Sequence, residues 1–159
     1  MTKRRRGTSM GLGPPEGEPW VWMTTAMFGS ITYRALGIHA RRILDFLMNE
    51  HAGHAGRENG NLAAPYLQLA PWGVTEADVS KGFAELFATG FVRRTHVGLR
   101  QAGGGEPSRY ALTWMPTAFG TAREEKPTHD WQDVLKRLGQ NRIGTVREAR
   151  SWLKTEVDR

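Results

Sequence analysis

At 159 residues, 39% of them hydrophobic, the chain is long enough to bury one core with appendages. It carries no run of about 18 apolar residues to span a bilayer and no apolar segment behind its basic start to serve as a secretory signal, so a soluble, cytoplasmic protein is expected. The absence of cysteine excludes disulfides, thiolate zinc sites and cysteine nucleophiles, while 22 Lys and Arg against 16 Asp and Glu, with a pI near 10.2, point to an anionic partner such as nucleic acid.

The positive charge is not owed to one tail. Divided at residues 20 and 120, the three sections hold 4 basic against 2 acidic residues, 9 against 7, and 9 against 7. Within the middle section, residues 91–110 hold Arg93, Arg94, Arg100 and Arg109 against only Glu106, so the charge of the core is concentrated there.

Residues 1–19 combine KRRR with Gly and Pro and few large apolar side chains, a composition that cannot repay ordering entropy. They read as a disordered basic tail, either a solvated start or a phosphate-binding arm. From Trp20 the apolar density rises, and short helical turns fit at 24–29 and 30–36, with a brief strand at 20–23 as an alternative. In IHARRILDFLMNEH, the residues Ala40, Ile43, Leu44, Leu47 and Met48 draw one face of a helix of about 14 residues. Residues 52–62 are a loop by their glycines and Asn-Gly. A short helix follows from Pro65, with Leu67, Leu69 and Trp72 as its buried contacts.

GVTEADVSKGFAELFATGFVRRT, residues 73–95, is the most informative stretch. Val79, Phe83, Leu86 and Phe87 form a helical stripe, with Thr75 as N-cap and Gly90 as the C′ residue. FVRRTHV then reads as a strand, residues 98–109 as a Gly-rich connection, and YALTWMP as a returning strand ended by Pro116. Residues 117–129 are a linker by composition. Two helices are expected beyond it. One has Trp131, Val134, Leu135 and Leu138 on one side and Asp130 as N-cap, and the other has Val146, Ala149, Leu153 and Val157 as its stripe.

Helix, helix, tight Gly turn, helix, strand, Gly-rich loop and strand follow one another over residues 30–115. That order, together with LGIHARRILDFL, the NGNL loop, GVTEADVSKGFAELFATGFV and RYALTW, resembles the winged helix-turn-helix proteins. Small bacterial transcriptional regulators and the winged-helix domains of plasmid and phage replication initiators are the nearest kinds. The resemblance implies a mainly α protein with a small β-hairpin (α+β), with the winged helix-turn-helix at 20–116 and a C-terminal helical extension at 130–159. It also implies double-stranded DNA as the partner and a cytoplasmic, nucleoid-associated location.

On the same resemblance, residues 75–89 enter a major groove, where Thr75, Glu76, Ala77, Ser80, Lys81 and Ala84 are the side chains best able to face base edges. Glu76 and Asp78 either complement the helix dipole, worth about 0.3–1 kcal/mol, or, for Glu76, accept from a cytosine amino group. The wing offers Arg93, Arg94, His96, Arg100, Gln101 and Arg109 for the phosphate backbone, beside Gly103, Gly104 and Gly105. A dimer formed through 130–159 would read two half-sites. The alternatives are a replication or mobile-element accessory factor whose C-terminal helices bind a protein, and a protein-interaction module that never touches DNA.

No chemistry stands out against this. His51 and His54 are three apart but have no cysteine to complete a tetrahedral set, and capping of the last helical carbonyls is the simpler reading. There is no GxSxG, HExxH, Walker or GxGxxG motif in a structured context, so neither an enzyme nor a cofactor is expected. Trp72, Trp114, Trp131 and Trp152 are spread over different elements, which favours packing over base stacking.

Overall fold

The computed structural model describes residues 16–99, 104–117 and 125–159. The KRRR run, Arg100, Gln101 and Gly103 lie outside them. Two hydroxyls open the first elements. Thr24 accepts from the Met27 amide to start α1 (Thr25–Gly29), and Ser30 accepts from the Tyr33 amide to start α2 (Ile31–Ala35). No strand forms at 20–23. That segment is seated instead by the Trp114 indole, which donates to the Trp22 carbonyl at 2.8 Å.

The long helix α3 (Ile38–Gly53) buries the expected Ala40, Ile43, Leu44 and Leu47, and adds Phe46. α4 (Tyr66–Leu69) is prolonged by a 3-10 turn (Ala70–Trp72), and Pro65 stands just before it as N-cap. Of its three expected buried contacts only Leu69 is fully buried. Leu67 is 83% exposed, and Trp72 lies edge-on to Phe46 at 5.8 Å with one side in solvent. A helix this short has a single inward position per turn. Gly73, at φ +77°, turns the chain into α5 (Glu76–Ala88).

Strand β1 (Val92–His96) pairs antiparallel with β2 (Arg109–Leu112), Val92 opposite Leu112 and Arg94 opposite Tyr110, with an irregularity between Arg94 and His96. On its other side β2 is bridged to the NGNL loop through Tyr110 and Leu62. Tyr110 donates to the Leu62 carbonyl at 2.9 Å, and its own carbonyl accepts from Gly60 and Leu62. Helices and a two-stranded hairpin make the chain α+β.

The C-terminal helices α6 (Asp130–Gln140) and α7 (Val146–Val157) share this core. Trp131 stacks on Phe91 at 6.1 Å, Phe91 meets Trp114 edge-on, and Leu138, Ala149 and Leu153 are buried. α7 packs against α2 and α5. The apolar stripes of these helices, which suit either their own domain or a second copy, are therefore covered by the same chain. The cap of α6 also differs from expectation. His129, at φ +51°, is the N-cap, and Asp130 is the first helical residue, with its carboxylate turned to Arg93. α7 opens with a capping box, Thr145 and Glu148 each bonding the other's backbone amide.

Candidate nucleic-acid interface

Three contacts fix α5 on α3 and so decide which face it shows. Gly82 lets the two backbones close up, since a Cβ there would lie 2.6 Å from the Ile43 side-chain end and 3.4 Å from the Ala40 amide. Glu85 accepts from the amide of Gly37, the N-cap residue of α3, at 2.7 Å, satisfying that N–H and placing a negative charge at the start of the helix. Arg42 donates to the Gly73 carbonyl at 2.6 Å and holds the turn. Phe83 and Leu86 face inward as expected, while Val79 and Phe87 are half-buried at the margin.

The outward face is then Thr75, Glu76, Ala77, Ser80 and Lys81, all exposed, with Ala84 half-buried. The two first-turn acids differ. Asp78 accepts from the Thr75 hydroxyl and lies 3.3 Å from the His39 imidazole of α3, so its charge is engaged within the domain. Thr75 sits at the N-cap position without capping, because its hydroxyl is turned to Asp78. Glu76 has no such partner among the described residues and remains beside the helix N-terminus.

The hairpin is clamped to α5 by aromatic stacking. The Tyr110 ring lies 4.3 Å from Phe83 and 6.2 Å from Phe87, both nearly parallel, and its burial pushes the phenol pKa up. Arg94 extends over Phe87, with its guanidinium 5.0 Å from the ring. This is a cation–π contact, worth about 0.5–1 kcal/mol at an exposed site. It places one charge at the seam between helix and hairpin.

The expected arginine cluster is divided by the period-two alternation of a strand. Arg93 points away from Arg94 and grips Asp130, at 3.0 Å from Nε and 2.8 Å from Nη2. Arg109 is half-buried and donates to the Asn61 carbonyl at 3.3 Å. His96 lies 3.4 Å from Glu106 across the hairpin. Of the six wing residues, Arg94 alone is both described and without an acidic or carbonyl partner among the described residues.

Two residues with no motif of their own organise the site. Asn59 is fully buried. Its amide donates to the carbonyls of Leu112, Met115 and Pro116 at 3.0, 3.0 and 3.1 Å, and its oxygen accepts from the Leu112 amide at 2.7 Å, which pins β2. Its signal in the sequence is only that of a turn. Glu85 is the other, and its position on the helical wheel beside the stripe is the one hint of it.

His51 is not a cap. It is buried at 1% exposure, with Nδ1 lacking a partner, and burial pushes its pKa down. His54 is the C-cap residue, its ring 3.5 Å from Glu50. Among the described residues no three His, Asp or Glu side chains converge as a metal set, and no helix is long and apolar enough to cross a membrane. Comparison with family models, with curated proteins and with solved structures finds no match to this chain.

Proposed function

We propose that residues 20–116 are a winged helix-turn-helix that binds double-stranded DNA with sequence preference, acting as a transcriptional regulator. α5 is the recognition helix, and the β1–β2 hairpin is the wing. The observation that carries this reading is the outward face of α5. Glu76, Ala77, Ser80 and Lys81 are exposed, and their side chains make no bond to the rest of the described chain, while the opposite face is locked by Gly82, Glu85 and Phe83. A rigid helix with small and polar side chains outward suits the width of a major groove. Arg94 on its aromatic shelf supplies the flanking phosphate contact, and Arg100 and Gln101 are assigned to the same role from the sequence alone. The bridge from Leu62 to Tyr110 supports the same fold, since it adds a third edge to the hairpin in the chain order expected of a winged helix.

Arg93 and Arg109 serve the framework in this reading, held by Asp130 and Asn61. A dimer reading two half-sites would form through a surface other than the buried stripes of α6 and α7. A replication or mobile-element accessory factor would use the same DNA-facing surface. A protein-interaction role instead of DNA binding draws on one observation, the exposed Tyr66, Leu67 and Trp72 on the element before α5.

Fluorescence anisotropy with a mixed-sequence duplex at 50 and 200 mM salt tests the proposal. DNA binding should weaken steeply with salt, drop when Arg94 and Arg100 become Ala, and change its sequence preference in Lys81→Ala. Salt-independent binding, or none at all, rejects DNA as the partner.

A further inference from the structure

The surface of α7 carries a row that the recognition helix and wing do not use. At about 100° per residue, Arg147, Arg150 and Lys154 fall within a sector of about 60°. All three are exposed, and none makes an ion pair or hydrogen bond among the described residues. Two of the acids on this helix are engaged elsewhere. Glu148 accepts from the amides of Gly144 and Thr145, which hold its carboxyl below the usual range, and Glu156 pairs with Arg159 at 3.1 Å. Asp158, at the C-cap, forms no ion pair among the described residues.

The packing around α7 gives this row a direction. Trp152 lies on the flank opposite the row, with Arg137 of α6 over its ring at 5.9 Å. Ala149 and Leu153 point inward between the two flanks. α2 packs against both α6 and α7, whereas α5, seated mainly on α3, also packs against α7 and has at most slight contact with α6. The basic row therefore lies on the flank of α7 away from α6, on a helix that itself rests against α5. From Arg147 to Lys154 it rises about 10 Å, over which one DNA strand presents about three phosphates.

We propose that Arg147, Arg150 and Lys154 form a second backbone-binding surface, one that takes the phosphates of the same duplex beside the groove entered by α5. The inference rests on the DNA-binding reading above. It assigns the C-terminal helices to the nucleic acid rather than to a second copy. A helix built on the same core as α5 holds its charges in fixed register with the groove, which a flexible tail cannot do.

The test compares three full-length proteins on one duplex across a salt series: wild type, the row variant R147A/R150A/K154A, and a control with equal charge loss elsewhere, R57A/K136A/R159A. All six substituted side chains are exposed, so thermal melts should stay close to wild type and any loss of fold would be seen there. The row variant should bind about tenfold more weakly or worse at 0.1 M salt, and the slope of log K against log salt should flatten by about 2 to 3. The control should stay within about threefold. If the row variant and the control behave alike while wild type binds DNA, this inference fails and the α5 reading stands. If wild type itself shows no salt-dependent binding, both fail together. Single Arg150→Lys should retain most of the affinity if the contact is a point charge on a phosphate, and Arg150→Glu should lose more than Arg150→Ala.

Discussion

Arg93 and Asp130 form a two-pronged ion pair that ties the start of strand β1 to the first turn of α6, at 2.8 Å for its shortest bonds. Arg93 is about half exposed, so water screens the pair and its worth is about 0.5–1 kcal/mol. Arg93→Ala and Asp130→Asn should each lower Tm by about 2–4 °C, and the double variant should fall no further than the worse single one, the signature of a coupled pair. Additive losses in a thermal double-mutant cycle would show that the pair contributes nothing as a pair. Asp130→Asn should leave DNA affinity unchanged or higher, because it releases a cation.

Asn59 carries four backbone bonds in a site sealed from water. Asn59→Ala leaves the Leu112 amide and three carbonyls without that partner. A buried group stripped of its bond costs about 1–3 kcal/mol, so a total near 3 kcal/mol is expected, read as a lowered denaturation midpoint at unchanged m. A loss below about 1 kcal/mol would mean that water enters and replaces the amide.

Gly90 ends α5 at φ +76°, and a Cβ there would lie 2.7 Å from the backbone of Asp130 and Trp131. Gly90→Ala adds a left-handed strain of about 1–2 kcal/mol to a collision with backbone, which cannot swing aside as a side chain can. We expect a loss of about 2–4 kcal/mol in chemical denaturation, with the environment of Trp131 altered in its fluorescence. Wild-type stability in this variant would mean that α6 does not rest on this turn.

His51 makes stability depend on pH with a definite sign. Burial lowers its folded-state pKa from the ordinary 6.5, so the unfolded chain binds the proton first as pH falls. The contribution is complete above pH 6.5 and is lost progressively below it, down to the folded-state value. His51→Leu should flatten the fall in stability between pH 7 and pH 5, as measured by urea unfolding at several pH values. Identical slopes would show that His51 does not carry the pH dependence.

The helices were legible where the period of the apolar residues ran long enough to repeat. Ala40 to Leu47 and Phe83 to Leu86 are buried as the spacing requires, and Gly73 and Gly90 turn the chain where expected. What the sequence concealed depends on distant partners. Glu85 reads as a solvent-side acid until the Gly37 amide, 48 residues away, is seen to need an acceptor at the start of α3. The charge count at 91–110 was correct, but it could not assign Arg93 and Arg94 to opposite faces, nor foresee that α6 would bring Asp130 to one of them. Amphipathic C-terminal helices suit another chain or their own equally well, and only the stacking of Trp131 on Phe91 decides between them.

β1 has β2 on one side and, among the described residues, no strand on the other. Such an edge offers its unpaired amides and carbonyls to any passing chain, and side-chain charge is one of the ways proteins discourage that. Arg93, Arg94 and His96 follow one another along it, with the irregular step at Thr95 breaking its flatness. Charge at these positions is therefore expected to discourage pairing between copies, apart from any part that Arg94 plays at the proposed interface. A variant stripped of them should tend to self-associate, and any loss of DNA binding in it should be judged only after its mass in solution has been measured.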